Sequence, residues 1–478
     1  MPPDPRPAPA AFVQPFVDEG LGNSAYLVGS RDAKLAALID PLRDVDRYLA
    51  AAEGIGVKIA YVLDTHLHND FVSGAREVAA KTGAVVGASA EAGLAFEHRA
   101  LKDGDRLSLG DLGLGVLATP GHTPEHLAFA LGADGDAAPL ALFTGGALIV
   151  GGAARTDLLG EAMTEPLARR LYHTIHARLL AYPDDTAVFP THGAGSFCAA
   201  PSFGDRTTTI GMEKARNPLC KATSEDEFVR RSLEGLPAYP AYFGKVRPIN
   251  QQGPEVLGGV PHPKPMPPSE VQSWIDGGGA VLDVRSPREF LRGHIPGAYG
   301  IGTGAPLVVW AGWLLPFGVA LVLVSRGGPE LDFAVRQLIR IGFDDLRGTL
   351  DGGMEAWRGA GLPVEAFPVV MPGDLRKRMS TAGGPLVLDV REDDEWLDGH
   401  IPGAVHIPNG RLPWIEDLPL PKVGPIIVHC GTSNRSTQAL SVLARRGFRN
   451  LALLEGGFSM WYQSGYEVEQ GPGPARKP

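Results

Sequence analysis

Short apolar runs alternate with amphipathic stretches along the first half of the chain, from about residue 12 to residue 250. The clearest runs predict β-strands at residues 23–28, 36–39, 59–63, 84–86 and 141–143. Turns rich in glycine or histidine follow several of these runs. Strands that alternate with helices are typical of an α/β layer structure. We therefore predict one α/β domain over residues 12–250.

The second half of the chain contains an internal repeat. LDVRSPREFLRGHIPGA at residues 282–298 matches LDVREDDEWLDGHIPGA at residues 388–404, an offset of 106 (388 − 282). DGGMEAW at 351–357 likewise matches EGGFSMW at 455–461. Similarity of this length indicates duplication of one structural unit. We predict two small α/β domains with parallel sheets, a first repeat at 270–366 and a second repeat at 370–470, joined to the N-terminal domain by a proline-rich linker at 251–269.

One uncharged stretch, residues 305–325, is long enough to cross a bilayer. Pro306, Pro316 and Gly318 interrupt it, and its last part has the pattern of a buried parallel strand at 320–325. It also aligns with a charged segment of the second repeat. We therefore predict no membrane span, and the N-terminal residues lack the pattern of a secretory signal.

Composition excludes several classes of function. Of 478 residues, 44 are Lys or Arg and 54 are Asp or Glu, a formal net charge of −10, and no long basic run favours a nucleic-acid partner. The three cysteines (Cys198, Cys220 and Cys430) are too few for a disulfide framework. We predict a cytoplasmic protein, and the sequence allows a homodimer.

A cysteine stands where a predicted strand, 426–429, meets a predicted helix, 437–446, in the second repeat. The loop between them consists of Cys430, Gly431, Thr432, Ser433, Asn434, Arg435 and Ser436. Such a loop directs backbone N–H groups and the positive end of the helix dipole to one spot. Because this environment favours a thiolate, we predict that Cys430 is a solvent-reachable nucleophile and that Arg435 adds positive charge.

Both repeats resemble the rhodanese (sulfurtransferase) domain. In the second repeat the resemblance rests on DVR at 389–391, GHIPGA at 399–404, the Cys430 loop, and the glycine pair at 456–457 with Trp461. It implies that Cys430 accepts a sulfane sulfur as a persulfide and passes it to an acceptor thiol or to sulfite. The first repeat has Arg326 at the position of Cys430 and Leu331 at that of Arg435. We predict that this copy is non-catalytic and serves in packing or docking.

Histidines of the N-terminal domain lie in short motifs that follow predicted strands. His66 and His68 belong to THLHNDF, His122 to TPGHT and His192 to PTHG. Side chains two residues apart in an extended loop point the same way, so His66 and His68 can meet one cation. We predict a metal site formed by His66, His68 and His122. Residues predicted to support this site or to bind a secondary metal are Asp70, His192 and Asp157.

These motifs resemble the metallo-β-lactamase fold, an αβ/βα sandwich, over residues 12–250. Fusion to rhodanese units, together with FTG at 143–145 and RTD at 155–157, points to the persulfide dioxygenase branch. That resemblance implies one mononuclear iron held by two histidines, here His66 and His122, and an aspartate after Gly145. Here Gly146 occupies the aspartate position, and Phe71 occupies that of a second-site histidine of binuclear hydrolases. One mononuclear metal ion is therefore expected, with Fe(II) favoured and Zn(II) as the alternative.

We predict an enzyme of sulfur metabolism. A low-molecular-weight persulfide, such as glutathione persulfide, would be oxidised at the metal, and sulfane sulfur would be transferred through Cys430. Two alternatives stay open: a metal-dependent thioester hydrolase similar to glyoxalase II, and a sulfur carrier whose metal domain is degenerate.

Overall fold

The computed structural model describes residues 10–133, 138–198, 204–303, 306–381 and 383–472. The N-terminal residues examined for a secretory signal lie mostly outside this range. The chain forms two compact units: unit 1 contains the residues up to Val260 together with Ile339–Gly342, and unit 2 contains Pro261–Leu338 with the residues from Phe343 onward.

Two six-stranded sheets form the centre of unit 1. The first contains, in spatial order, β1 (Ala11–Asp18), β2 (Asn23–Ser30), β3 (Leu35–Ile39), β4 (Lys58–Leu63), β5 (Val85–Ser89) and β6 (Arg99–Leu101). The second contains, in reverse spatial order, β7 (Arg106–Ser108), β8 (Leu112–Ala118), β9 (Leu127–Ala133), β10 (Ala141–Gly145), β11 (Ala187–Pro190) and β12 (Thr208–Thr209). The β3–β6 strands are parallel, as are β10 and β11, and the other pairs are antiparallel.

Helices cover both outer faces of this pair of sheets. They are α1 (Asp46–Ile55), α2 (Ala75–Thr82), α3 (Glu161–His173), α4 (Ile210–Arg216), α5 (Glu225–Leu233) and α6 (Phe243–Gln252). Side chains such as Val28, Leu114 and Phe129 fill the space between the sheets. Tyr48 of α1 packs on the first sheet, and Phe228 of α5 packs on the second. The predicted αβ/βα sandwich is confirmed.

Unit 2 contains two five-stranded parallel sheets with the same strand order. The first repeat contains β13 (Pro265–Met266), α7 (Pro268–Asp276), β14 (Ala280–Asp283), α8 (Pro287–Arg292), β15 (Tyr299–Gly300), α9 (Leu307–Leu314), β16 (Leu321–Val324), α10 (Gly328–Arg340), β17 (Leu346–Leu350) and α11 (Gly353–Gly359). The second repeat contains β18 (Val369–Val370), α12 (Pro372–Met379), β19 (Leu386–Asp389), α13 (Asp393–Asp398), β20 (Val405–His406), β21 (Ile426–His429), α14 (Asn434–Arg445), β22 (Leu451–Leu454) and α15 (Gly457–Gln463). The shared order 13-17-16-14-15 and 18-22-21-19-20 confirms the duplication.

The uncharged stretch at 305–325 contains the short helix α9 and the buried strand β16. Pro316 and Gly318 lie between these two elements, where the chain turns. In the described part of the chain, no helix has the length and apolar character needed to cross a membrane.

The proline-rich segment makes specific contacts on both sides. Within unit 1, Arg76 donates hydrogen bonds to the carbonyls of Gly253 and Pro254. Within unit 2, Pro265 and Met266 pair with β17 as an edge strand. Proline suits an edge position because it has no N–H for a ladder on the second side.

Candidate functional site

Histidines gather at one end of the unit 1 sandwich, on loops that leave the carboxyl ends of β4, β8 and β11. His66 and His68 follow β4, His122 follows β8, and His192 follows β11. All four are buried. The ring centroid of His66 lies 4.1 Å from that of His68, 4.7 Å from that of His122 and 5.3 Å from that of His192. Strands from both sheets therefore bring the four imidazoles to one place.

A hydrogen-bond relay determines which nitrogen of His66 is free. The Thr65 hydroxyl donates to Asp40 Oδ2 at 2.8 Å, so its oxygen remains to accept the Nδ1–H of His66, also at 2.8 Å. The Nε2 atom of His66 then carries an unshared pair of electrons. In the same way, His192 donates from Nδ1 to Asn23 Oδ1 at 2.9 Å, which leaves its Nε2 unprotonated.

Those two Nε2 atoms face each other at 3.3 Å. Burial is the main cause that holds the pKa of His66 well below its ordinary value, and it lowers the pKa of His192 to about 3. Both rings are therefore neutral near pH 7, and neither has a proton to place between the two nitrogens. Two facing lone pairs inside the protein are the donors that a cation would bind.

His68 supplies a third donor. Its Nε2 lies 3.0 Å from Asp40 Oδ1, while its buried Nδ1 has no hydrogen-bond partner among the described residues. An unpartnered buried nitrogen is costly unless something binds it. His66, His68 and His192 each offer a ligand atom within 4.8 Å of the others. The residues present therefore fit a metal ion.

This grouping differs from the predicted set in one member, since His192 joins His66 and His68 where His122 was expected. His122 lies beside them, and its Nδ1 donates to the Arg155 carbonyl at 2.6 Å. Burial is the main cause that lowers the pKa of His122 to about 3, and repulsion from His192, when that ring is protonated, adds to it. His122 forms a second candidate group with His192 and Cys198. Burial raises the pKa of the Cys198 thiol well above its ordinary value.

Gly146 leaves no room for the expected aspartate. A Cβ atom at this position would lie 2.7 Å from His122 Cδ2 and 2.9 Å from Ala154 Cβ. The Gly146 N–H also donates to Nε2 of His126 at 3.0 Å, so that imidazole is engaged in holding the turn. Sequence reasoning did not single out His126, although it stands four residues after His122 in TPGHTPEH.

The other predicted residues have structural partners. Phe71 stacks on His68 with ring centroids 4.1 Å apart and so fills the place of a second-site ligand. Asp157 accepts two hydrogen bonds from Arg155, at 2.6 and 2.7 Å. Asp70 Oδ2 accepts from Asn23 at 2.6 Å, its Oδ1 has no partner among the described residues, and burial raises its pKa.

In unit 2, Cys430 directly follows the buried strand β21 and precedes α14. Its carbonyl accepts the N–H of Phe458 at 2.8 Å, and its Sγ lies 3.4 Å from Ser436 Oγ. Gly457, at φ +56°, allows this close approach, because a Cβ there would lie 2.2 Å from the Cys430 carbonyl oxygen. Among the other residues of the predicted loop, Thr432 and Asn434 are exposed and Gly431 and Ser433 are half-buried. The helix begins three residues earlier than predicted, so Asn434, Arg435 and Ser436 form the first turn of α14.

The expectation of a solvent-reachable thiol is not met, because Cys430 is only 1% exposed. The backbone hydrogen bond from Phe458 and the contact of Sγ with the Ser436 hydroxyl hold this buried residue in place. Any sulfur donor must therefore enter the loop to reach it. A thiol packs readily in such a place because it is small and only weakly polar.

Arg435 is also engaged within the protein. Its guanidinium donates to Glu395 Oε1 at 2.8 Å and to Glu395 Oε2 at 2.5 Å. Burial raises the pKa of Glu395, but the hydrogen bonds from Arg435 outweigh that effect and leave the pKa below its ordinary value. In the first repeat, Arg326 stands at the position of Cys430 and pairs with Glu330.

Comparison with known protein families covers most of the chain. The metallo-beta-lactamase superfamily model matches residues 18–192, and the rhodanese-like domain model matches residues 267–360 and 371–464. The fold and the histidine cluster together imply a metal site.

Individual relatives point to more than one activity. The chain is 31% identical over 211 residues to the mitochondrial persulfide dioxygenase ETHE1 of Homo sapiens, which covers 43% of this chain and 74% of the relative. It is also 31% identical over 260 residues to a hydroxyacylglutathione hydrolase of Polaromonas sp., covering 48% of this chain and 95% of the relative.

A solved structure supports the arrangement of the fold. A metallo-beta-lactamase from Staphylococcus aureus subsp. aureus COL superimposes with a TM-score of 0.63 at 29% identity and covers 71% of this chain and 98% of its own. Together with the topology of the two units, these findings show that the chain belongs to the metallo-β-lactamase superfamily and that two rhodanese-like domains follow its metallo-β-lactamase domain.

Proposed function

We propose that this protein is an enzyme of sulfur metabolism that oxidises a low-molecular-weight persulfide in unit 1 and transfers sulfane sulfur through Cys430 in unit 2. The observation that carries the first half is the histidine cluster of unit 1, in which Phe71 stacks on His68 where a binuclear hydrolase would have a further ligand. A site for one ion suits mononuclear oxidation better than binuclear hydrolysis. The second half rests on Cys430 at the junction of β21 and α14.

His66, His68 and His192 would hold the metal ion, with Fe(II) favoured and Zn(II) as the alternative. When bound, Fe(II) would supply the redox chemistry that activates O₂ for attack on the persulfide. The protein's own groups set up this site. Asp40 orients His66 through Thr65 and contacts His68 directly, while Asn23 orients His192. Burial of the ring cluster excludes water from the donors.

The transfer step needs no oxidant. The Cys430 thiolate attacks the terminal sulfur of a persulfide R–S–SH, a new S–S bond forms at Sγ, the donor S–S bond breaks, and R–S⁻ leaves with the electron pair. Sulfite or an acceptor thiol then attacks the outer sulfur, and Cys430 is released as the thiolate. The positive end of α14 and the Ser436 hydroxyl would stabilise negative charge on that outer sulfur.

Thioester hydrolysis is the second candidate, and the hydroxyacylglutathione hydrolase relative favours it. Phe71 stands at the position of a second-site ligand and cannot bind a metal, whereas the carboxylate missing at Gly146 is lost to both candidate reactions alike. We therefore rank this candidate below persulfide oxidation.

The test is O₂ consumption by the Fe(II)-loaded full chain on glutathione persulfide, with sulfite and thiosulfate measured together. The proposal predicts O₂ uptake by the wild type and loss of uptake in His66→Ala. Cys430→Ser should retain uptake but form sulfite without thiosulfate. Absence of O₂ uptake with persulfide on Cys430 would reduce the protein to a sulfur carrier, and cleavage of S-lactoylglutathione without O₂ uptake would favour the hydrolase.

A further inference from the structure

The first repeat contains a cavity of about 710 Å³. It opens at the carboxyl ends of β14, β16 and β17, the end at which Cys430 stands in the second repeat. Its charged lining residues are Arg285, Glu289, Arg292, Arg326, Asp351, Glu355 and Arg358. Cavities of this size accommodate small organic molecules.

The scaffold around this cavity is kept although the nucleophile is gone. Arg285 donates to Asp283 and to the Gly293 carbonyl, the latter at 3.0 Å, as Arg391 donates to Asp389 and to the Gly399 carbonyl at 2.7 Å. The glycine pair at 352–353 has φ values of +64° and +58°, against +62° and +56° for the pair at 456–457. The first repeat therefore lacks the nucleophilic cysteine but has the same backbone conformation and the same arginine–aspartate contacts as the second repeat.

Arginines replace neutral or acidic residues around the cavity. The internal repeat aligns Arg292 with Asp398, Arg326 with Cys430, and Arg358 with Tyr462. Each of these three arginines lines the cavity. Relative to the second repeat, the first repeat has thus gained three arginines and lost one, because Leu331 stands where the second repeat has Arg435.

Two of these cations lack counter-ions. The guanidinium groups of Arg292 and Arg358 make no ion pair or hydrogen bond with the residues that the structure describes, and both residues are exposed. The Arg358 side chain packs on the backbone of Gly293, the residue that follows Arg292. A Cβ added at Gly293 would lie only 2.5 Å from Arg358 Nη2. Arg326 pairs with Glu330 at 2.8 Å and lies within the electrostatic influence of Glu289, and its side chain is 63% exposed. Guanidinium groups that have no carboxylate partner of their own are available to bind an anion.

We propose that the cavity of the first repeat binds a small-molecule anion through the guanidinium groups of Arg292, Arg326 and Arg358. The guanidinium fork matches both a carboxylate and a sulfur oxyanion in a bidentate manner. Glu289, Asp351 and Glu355 limit the positive charge of the lining, which favours a ligand with one or two negative charges over a polyanion. This assignment does not depend on the activity proposed for either of the other sites.

The experiment is isothermal titration calorimetry of chelator-treated full-length protein carrying Cys430→Ser, which removes reaction at the thiol. Sulfite and succinate serve as separate probes of the two anion chemistries, and the tighter binder identifies the class. We expect one site per chain. Arg292→Ala combined with Arg358→Ala should weaken binding by at least about tenfold, the usual effect of losing charge-assisted hydrogen bonds.

Arg288→Ala is the matched control, because Arg288 is exposed on the same helix, α8, and does not line the cavity. It should change the affinity by less than about twofold. The proposal is overturned if neither probe binds, if the double variant binds as well as its parent, or if Arg288→Ala weakens binding as much as the double variant does. Circular dichroism of each variant verifies that the fold is intact.

Discussion

Gly457→Ala should disable sulfur transfer without unfolding the chain. Gly457 has φ +56°, and a Cβ there would lie 2.2 Å from the Cys430 carbonyl oxygen and 2.7 Å from that of Thr432. An ordinary contact begins near 3.4 Å, so the Cys430 backbone must move by about 1.2 Å (3.4 − 2.2). A displacement of about 1 Å in a reacting group lowers rates on the order of 100-fold.

The accompanying loss of stability should be tolerable. Alanine in the left-handed region costs roughly 1–2 kcal/mol, and the forced backbone shift adds roughly 1–3 kcal/mol, as other overpacked sites do. The sum of roughly 2–5 kcal/mol is below the roughly 5–15 kcal/mol by which folded domains are stable. We therefore expect a folded variant with a displaced Cys430 loop.

Gly465→Ala is the matched control. Gly465 also has a positive φ, +70°, but a Cβ there would meet nothing within 4 Å. Thiocyanate formation from thiosulfate and cyanide measures transfer, and differential scanning calorimetry of the full chain measures stability. The control should lose only the roughly 1–2 kcal/mol of backbone strain and keep its transfer rate. If Gly457→Ala transferred sulfur at a rate within twofold of Gly465→Ala, the reasoning about this close approach would be wrong.

Three further predictions test separate contacts. His192→Ala should weaken metal binding on the order of 10- to 100-fold in a chelator competition assay. His126→Ala should change metal binding much less, because Nε2 of His126 already accepts the Gly146 N–H. Equal effects of the two substitutions would contradict the assigned metal ligands. Gly146→Asp should lower the melting temperature, because His122 must move by about 0.7 Å (3.4 − 2.7) to admit a Cβ. An unchanged melting temperature would show that the space around Gly146 accepts a side chain without strain. Glu395→Gln should lower the KM for thiosulfate by freeing the Arg435 charge from its partner, and a raised KM would show that the pair itself shapes the site.

Local patterns were enough to predict the α/β class and the duplication, whereas the αβ/βα sandwich was predicted from the resemblance to the metallo-β-lactamase fold. The strand predicted at 426–429 is observed with those bounds, and the strand predicted at 59–63 is observed one residue longer. The duplication was visible as identity between 282–298 and 388–404, and the equal strand orders follow from it. Periodicity reports burial and therefore secondary structure, which explains this agreement.

The candidate site was predicted only in part, because its details depend on contacts between distant segments. The grouping of His192 with His66 depends on two side-chain hydrogen bonds, one between His66 and Thr65 and one between His192 and Asn23. Asn23 and His192 lie far apart along the chain. Burial of Cys430 likewise depends on the turn that contains Gly457, which follows a different strand. Motif spacing identifies the residue types of a site, but packing decides which nitrogen is free and which sulfur is covered.

The most direct test of the central claim is the intact mass of the full chain after exposure to glutathione persulfide, followed by peptide mapping of the adduct. We predict a single gain of about 32 Da, the mass of one sulfur atom, on the peptide that contains Cys430, and no gain in Cys430→Ser. An unmodified Cys430, or an adduct found instead on Cys198 or Cys220, would contradict it.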